Sequence, residues 1–373
     1  MKTSSSNAWS RFFKLVKLEK KDILQIFYYA IFAGALSLSL PLGVQAIINL
    51  IQGAQISSSW IILVVLVTLG VGFTGTLQIM QLRIIETLQQ RIFTRASFEL
   101  TYRFPKLKLD ALRKYYLPEL ANRFFDTLSI QKGLAKILID VPSALIQILF
   151  TLILLSLYHP FFILFGLGLV SLMFFVFQYT VRRGLETSLE ESKHKYRVAH
   201  WIQEIARSIV SFKLSAKSDF GLRKNDELVS DYLNARENHF QVIKLQYIKL
   251  IGFKITITAG LLIIGGALVL NQQMNIGQFV AAEIIILLTI ASVEKLIVSL
   301  ETLYDILTSI EKLGGLVDLA TEKQGGKELN PNSDFTIELK NIDYVVPEID
   351  KPILSGVNLK INPKDKILIR GIS

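Results

Sequence analysis

The sequence contains no cysteine among its 373 residues. Disulfide bonds, thiolate metal sites and a cysteine-peptidase domain are therefore excluded. There are only four histidines, and the closest pair, His194 and His200, is six residues apart, a spacing that does not put two ligands on one helical face. We predict no metal site. We also find no pairing of nucleophile and base that would indicate a catalytic residue.

Charged residues are missing from three short connections, 52–59, 158–160 and 271–276. These connections separate long apolar runs in a chain of mean hydropathy +0.43. Each run is near or above the length of about 20 residues that crosses a bilayer, except the fifth, which residues 250–254 extend. The runs are approximately 23–50, 60–82, 137–157, 161–181, 255–270 and 277–300. The sequence therefore predicts an integral membrane protein with six transmembrane helices.

The remaining connections are rich in lysine and arginine, and the net charge of the chain is +10. Under the positive-inside rule both termini are cytoplasmic, which fits a bacterial inner membrane. We interpret the basic excess as topology and contact with anionic lipid in the bilayer, not as nucleic-acid binding. The first apolar run is too long for a cleavable signal and has no small-residue cleavage pattern.

The two long polar connections, 83–135 and 182–249, keep a helical period. Apolar residues recur at spacings of three and four, as in Ile84, Leu88 and Ile92 or in Ile202, Ile205 and Ile209. We predict that the transmembrane helices continue as paired intracellular helices. Short elements near 117–126 and 215–221 would turn each pair around, because Pro118 punctuates the first segment and Gly221 the second.

After the sixth run the period changes from helix to strand. A polar linker at 319–334 is followed by alternating segments at 335–340 and 357–361, a turn at 362–365 and an apolar strand at 366–370. Gly371 then stands where the first glycine of G-x-x-x-x-G-K-[ST] would fall, with the second glycine and the lysine beyond Ser373. The sequence predicts four parts. Residues 1–22 form a cytoplasmic arm and residues 23–318 the membrane domain. Residues 319–334 form the linker, and residues 335–373 form the start of a nucleotide-binding domain. At 39 residues this last piece is below the size of about 40 that folds alone, and we expect it to be loosely ordered or docked.

Three local patterns support a family resemblance. They are Glu119-Leu120-Ala121-Asn122-Arg123, the pair Gln203-Glu204 followed by Ile209-Val210-Ser211-Phe212-Lys213, and the segment 352–361. In this order and spacing the chain resembles a half-transporter of the ABC exporter class. The resemblance implies an all-α membrane domain of six transmembrane helices with long intracellular extensions, of the type I exporter kind. An incomplete β-rich piece of a P-loop ATPase domain would follow it.

The resemblance also implies a function and its cofactors. The chain would be the membrane-spanning half of an ATP-driven exporter that works by alternating access, with its ATPase domain truncated. It would pair with another ABC half-transporter as a homodimer or heterodimer. ATP and Mg²⁺ are the implied cofactors, with Gly371 and Ser373 at the P-loop and Tyr344 at adenine, although Val346 replaces the expected second aromatic. Whether the chain is an enzyme stays open, and the substrate is not indicated.

In such an exporter the two turn elements would transmit ATPase closure to the long helices. The implied coupling residues are Asn122, Arg123, Phe124, Phe125, Ala216, Asp219 and Phe220. The three phenylalanines would be apolar knobs inserted into the ATPase surface, and packing between the long helices is the alternative. Glu283, a carboxylate inside the sixth run, is a candidate for the substrate path, against a structural or interfacial role.

Two other functions remain at this stage. A catalytically inactive membrane subunit could partner a complete half-transporter. An unrelated channel or carrier with six spans would lack the long intracellular helices and the coupling turns.

Overall fold

The computed structural model describes residues 5–53, 58–109, 117–215, 219–322, 325, 334–345 and 352–370. Residues up to Thr321 form one compact unit, and those from Glu322 onward form another. The first unit is helical. Its helices are α1 (Ser5–Leu18), α2 (Lys20–Ser37), α3 (Ser39–Gln52), α4 (Ser58–Arg103), α5 (Leu117–Asn122), α6 (Asp126–Tyr158), α7 (Phe161–Arg207), α8 (Ile209–Leu214), α9 (Phe220–Gly260), α10 (Gly266–Leu270) and α11 (Ile276–Val317).

Helices α2 and α3 together form the first predicted span, with a break at Leu38. The break has a local cause in Pro41. Its ring removes the N–H that would bond to the Ser37 carbonyl and crowds that carbonyl. Nearby, the single proton of the Ser37 hydroxyl is shared between the Gly34 carbonyl and the Gln147 side-chain oxygen, each 2.7 Å away. The chain thus continues in one direction through a local irregularity.

The other long helices extend well beyond the apolar runs. Helix α4 has 46 residues and α7 has 47, so each is about 70 Å long at 1.5 Å per residue. A bilayer core is about 30 Å thick, and therefore about half of each helix projects from it. The predicted extension of the spans into long polar helices is confirmed. We call the end at which α4, α6, α7 and α9 project the polar end of the bundle.

Within the described residues, five helical stretches are long and apolar enough to cross a membrane. They are Lys20–Gln52, Ser58–Lys106, Leu117–Tyr158, Phe220–Leu270 and Ile276–Val317. The predicted fourth span begins α7, where only the shorter segment Phe161–Ser171 is apolar by the same measure. Side chains at several positions between 172 and 180 lie outside the described part of the structure. The count of six spans stays a prediction.

Helix α11 is the central element of the helical unit. A capping box fixes its start: Asn275 accepts from the Gln278 backbone, and the Gln278 side chain accepts from the Asn275 backbone. Its buried residues contribute to two apolar clusters, one around Ile285 at the depth of the apolar runs and one around Leu307 nearer the polar end. Against α6 the helices approach closely at Gly133, where an added Cβ would lie 2.6 Å from Ile306.

The second unit contains two antiparallel strands, β1 (Ile337–Tyr344) and β2 (Leu354–Ile361). Ile337 pairs with Ile361 and Tyr344 with Leu354, with irregularities between. Both strands follow the predicted alternation. Because two strands cannot enclose a core, most of their side chains are exposed.

The end of the second unit corrects one prediction. The predicted turn at 362–365 is present, since the Asp365 backbone donates to the Asn362 carbonyl at 3.1 Å. The predicted strand at 366–370 is wrong, because this segment forms no strand. Its apolar side chains are exposed, Ile369 at 90%. An alternating pattern forms a strand only when a neighbouring strand pairs with it, and the described part of this unit offers none.

Candidate functional site: two turns at the polar end

The first turn joins α4 to α6 at the polar end. Helix α5 is followed by a single 3₁₀ turn, Arg123–Phe125, and then directly by α6. Leu120 anchors the turn, since it is 1% exposed and packs with Leu100 of α4 and Leu316 of α11. The turn is thereby held against two long helices, so that a displacement of the turn must move them.

The predicted coupling residues of this turn differ in exposure. Asn122, Arg123 and Phe124 are half-buried, and Arg123 lies 3.6 Å from the Glu119 carboxylate. The Phe124 ring packs edge-on against Phe93 of α4, with 5.3 Å between ring centroids. Phe125 is 61% exposed. Of the two phenylalanines, Phe125 is therefore the one available to another surface, while Phe124 packs between the long helices.

The second turn joins α7 to α9 through α8. Trp201 holds it closed: its indole N–H donates to the Gly221 carbonyl at 3.1 Å, and its ring contacts Phe212 and Phe220 edge-on. Asp219 is exposed and directly precedes α9. The predicted coupling residue Ala216 lies outside the described residues. Trp201 was not identified from the sequence, although a tryptophan in a polar helix is a signal for such an anchor.

An apolar surface surrounds the second turn, and we call it the turn patch. It consists of Ile209, Val210, Leu214, Phe220 and Leu222, which are 45%, 65%, 78%, 49% and 77% exposed. Ile209, which the sequence places in the helical period of this segment, is thus exposed at the turn. Several exposed apolar side chains in the two helices that flank one turn are typical of an interaction surface.

Behind the two turns, three long helices meet in a partly buried polar network. The Tyr196 hydroxyl of α7 donates to the Asp126 carboxylate, the first residue of α6, at 2.6 Å. The Lys312 ammonium of α11 lies 3.3 Å from the centre of the Tyr196 ring and donates to the Ser192 carbonyl at 3.1 Å. A cation over an aromatic face is stabilising. The network ties the first turn to α7 and α11.

These groups lie at the polar end, outside the apolar runs, and burial shifts their ionisation. Burial raises the pKa of the Asp126 carboxyl above its usual range and raises that of the Tyr196 hydroxyl. Burial lowers the pKa of Lys312 to about 7, although the Asp126 carboxylate favours the charged amine. The network therefore changes charge near neutral pH.

A cavity of about 580 Å³ separates the two turns. Glu119 and Arg123 line it from the first turn, and Tyr196, Trp201, Leu228 and Lys312 line it from the long helices. Both signs of charge are present on its walls. Because the turns are not packed directly on one another here, they can move relative to each other without breaking a close-packed core.

A family comparison accounts for this architecture. The family model of the ABC transporter transmembrane region matches residues 23–293. The chain belongs to this family. It is therefore an integral membrane protein, and its long helices form an ABC transporter membrane domain.

A curated relative is also similar over part of its length. It is the alpha-hemolysin translocation ATP-binding protein HlyB of Escherichia coli O157:H7, which is 30% identical over 109 residues. The match covers 29% of this chain and 15% of the relative. The chain thus matches only a small part of that protein.

Glu283, the predicted substrate-path residue of the ABC membrane domain, is exposed on α11. Leu287 and Lys295 continue the exposed face at multiples of four residues toward the polar end. Glu283 does not line any of the described cavities of the structure. Its role in a substrate path stays a prediction.

The charged residues near the ends of the spans form pairs across helices. Lys254 of α9 donates to Glu294 of α11 at 2.7 Å, and Lys295 lies 3.9 Å from Asp140 of α6. These pairs join α11 to its neighbours within the ABC membrane domain. Sequence spacing gave no sign of the pairing, because the partners come from separate helices.

The described residues do not fit an ATP site. Tyr344 is 44% exposed at the end of β1, opposite Leu354. Gly371 and Ser373 lie outside the described residues. The sequence contains no Gly-Lys-Ser or Gly-Lys-Thr, which the phosphate cradle of a P-loop requires. In the described part of the chain no group of three His, Asp or Glu residues is placed to hold a metal ion.

Proposed function

We propose that this chain is the membrane-spanning half of an ATP-driven exporter. The observation that carries the proposal is the turn patch, which lies at the polar end of an ABC transporter membrane domain. Exposed apolar side chains at the end of two long helices provide a surface on which an ATPase domain can act. An unrelated channel has no need of such a surface.

The proposed orientation follows from charge. The connections at the polar end are rich in lysine and arginine, while the connections at the other end have no charged residue. The polar end and both termini are therefore cytoplasmic under the positive-inside rule, in a bacterial inner membrane. We include the apolar start of α7 as a sixth span, which places both ends of the helical unit on one side.

The proposed mechanism uses the long helices as levers. An ATPase domain pressing on Phe125 and on the turn patch would displace α5 and α8. The Tyr196–Asp126 bond and the Leu120 anchor would carry this displacement to α4, α6, α7 and α11. Paired with a second half-transporter, the bundle would alternate between inward-facing and outward-facing states. ATP and Mg²⁺ would bind in the ATPase domain, through residues that the described part of this chain does not supply.

Cross-linking from the turn patch tests the proposal. Because the chain has no cysteine, Leu214→Cys introduces a unique thiol at a position that is 78% exposed. A thiol-to-amine cross-linker is then applied to native membranes, and the products are sequenced by mass spectrometry. We expect a cross-link to a segment that carries Gly-Lys-Ser/Thr.

The matched control is Leu233→Cys, which is 56% exposed on α9, away from the turn patch. It should give no such product. The absence of any P-loop segment from the Leu214→Cys products, or equal yields from both positions, would contradict the proposed function.

A further inference from the structure

A second cavity lies inside the bundle at the depth of the apolar runs. It has a volume of about 190 Å³, is bordered by α2, α4, α6 and α11, and is open on one side, where Gln78 and Ala291 are exposed. Hydroxyl and amide groups dominate its polar lining: Ser37, Gln78, Gln81, Ser143, Gln147 and Ser292. Polar side chains in the membrane are costly, and they usually mark a pathway or a binding site.

Ser37, Gln81, Gln147 and Ser292 have hydrogen-bond partners within the protein, but Gln147 uses only its side-chain oxygen. Gln81 Nε2 donates to the Ile26 carbonyl at 3.1 Å, and Ser292 Oγ donates to the Leu288 carbonyl at 2.8 Å. Gln147 Oε1 accepts from Ser37 Oγ at 2.7 Å. Gln147 Nε2 is buried, and no acceptor among the described residues lies within hydrogen-bonding distance of it. A buried N–H donor without an acceptor is energetically costly, and a ligand carbonyl that accepts its hydrogen bond would remove this cost.

Most of the remaining wall is made of small residues. Ala33, Gly34, Ala144 and Ala291 line the cavity beside Leu288, and no aromatic side chain among the described residues does. Lys295 also borders it, but its ammonium faces Asp140 at 3.9 Å. Small residues let a ligand backbone approach the helices closely. The cavity therefore offers hydrogen bonds without a strong net charge.

This chemistry narrows the class of ligand. Sites for drug-sized molecules have volumes of about 300–1,000 Å³ and are mostly hydrophobic and aromatic. The present cavity is smaller and polar, so it suits one segment of a chain-like molecule. Lipid tails and lipophilic cations would leave the amides unpaired. A peptide main chain carries an N–H and a C=O at every residue, which match the donors and acceptors of glutamine and serine.

We propose that this cavity binds a peptide segment of the exported substrate, with Gln147 Nε2 donating to a main-chain carbonyl. The inference rests on the proposed exporter function and names its substrate class. Ser37 acts as a positioning residue, since its hydroxyl fixes the Gln147 oxygen and leaves the nitrogen directed to the ligand.

Cysteine labelling of the full chain in lipid nanodiscs tests this site. Ser143→Cys places a thiol on the cavity wall, and Leu149→Cys places one on an exposed face of the same helix. The reagent is a small methanethiosulfonate ammonium compound. The probes are a capped peptide of glycine, serine and alanine, maltotriose, and tetraphenylphosphonium.

We expect the peptide alone to slow labelling of Ser143→Cys. By mass action, a peptide concentration of twice the Kd reduces the rate about threefold. Leu149→Cys should label at the same rate with and without peptide. Three outcomes would overturn the proposal. The first is protection by maltotriose or tetraphenylphosphonium but not by peptide, and the second is equal protection at both positions. The third is no protection up to the solubility limit of the peptide.

Variants of the amide sharpen the test. In the Ser143→Cys chain, Gln147→Leu should raise the peptide concentration needed for protection by about tenfold, the effect of losing one hydrogen bond in a buried site. Gln45→Leu is the matched control, because Gln45 also accepts one hydrogen bond, from Tyr158 at 2.6 Å, but does not line the cavity. If Gln147→Leu does not fold, Ser37→Ala should give a smaller shift in the same direction. An unchanged concentration dependence in the variant that folds would refute the role of Gln147.

The labelling assay separates this proposal from the exporter function on which it rests. It measures binding without ATP and without transport. If peptide protects the chain but the chain never cross-links to a P-loop segment, the peptide site is supported and the exporter function is contradicted. If the chain cross-links but peptide does not protect it, the exporter function is supported and the peptide site is contradicted.

Discussion

The Tyr196 hydroxyl donates to the Asp126 carboxylate at 2.6 Å, and this bond joins the C-terminal part of α7 to the first residue of α6. Asp126 directly follows the 3₁₀ turn that ends at Phe125. Movement of the first turn therefore reaches α7 through one short, charge-assisted contact. Lys312 lies against the ring of Tyr196 and extends the connection to α11.

We predict that Tyr196→Phe uncouples the first turn from α7. Loss of a hydrogen bond to a charged group costs about 1.5–3 kcal/mol, so the thermal midpoint in detergent should fall. Under the proposed function, transport or coupled ATPase activity should fall further than the loss of folded protein explains. Tyr247→Phe, at a 40% exposed position on α9, is the control and should have little effect. Equal midpoints for the two variants would count against the network.

A second prediction concerns pH. The folded state releases the Lys312 proton near pH 7, whereas the amine normally holds it to about pH 10.5. Between these values the unfolded chain binds more protons, so stability rises with pH through this window. Below pH 7 the Lys312 amine is protonated in both the folded and the unfolded chain, so the folded chain bears the full cost of burying the charge.

The measurement is the thermal midpoint in detergent at a series of pH values from neutral to alkaline. Lys312→Met removes the titrating amine and should flatten the rise. Lys224→Met serves as the comparison, since its side chain borders the same cavity but is 42% exposed. If the thermal midpoint of Lys312→Met still rises with pH as steeply as that of the unchanged chain, a group other than Lys312 causes the rise.

The long helices could be predicted from the sequence because their signal is local. Apolar residues at spacings of three and four continue past the second apolar run, and in α4 two of them, Leu88 and Ile92, are 1% and 6% exposed. The two turns were located from proline and glycine within a few residues. Periodicity could not say whether a partner covers each face, and Ile202, on the corresponding face of α7, is 57% exposed.

The partly buried polar network could not be predicted, because its members are distant in sequence. Asp126, Tyr196 and Lys312 come from three helices and meet only through tertiary packing. Lys312 gave no local sign, since it follows Glu311 on the polar side of the helical pattern. The strand expected at 366–370 failed for a related reason, because strand formation depends on a partner that the pattern does not contain.

The turn patch leads to a prediction that separates folding from coupling. Leu214→Asp changes a side chain that is 78% exposed, and such surface changes usually alter stability by less than about 0.5 kcal/mol. We expect an unchanged thermal midpoint and a loss of export, because a carboxylate prevents docking of an apolar surface. Leu233→Asp, at an exposed position outside the patch, should retain export. Retained export in Leu214→Asp would show that the patch is not where the ATPase domain acts.

Two glycines on long helices should respond to alanine in opposite directions. At Gly184 of α7 an added Cβ would collide with the ring of Tyr304 on α11, and that ring is fully buried and accepts a hydrogen bond from Gln246 at 2.8 Å. It cannot move aside without losing this bond, so Gly184→Ala should destabilise the fold by about 1–3 kcal/mol, as overpacking does.

At Gly252 of α9 no atom lies within 4 Å of the added methyl, and alanine is favoured over glycine in a helix by about 0.5–1 kcal/mol. Gly252→Ala should therefore raise the thermal midpoint measured by circular dichroism, and Gly184→Ala should lower it. A shift of the same sign in both variants would mean that α7 and α11 do not pack as closely as the Gly184–Tyr304 contact requires.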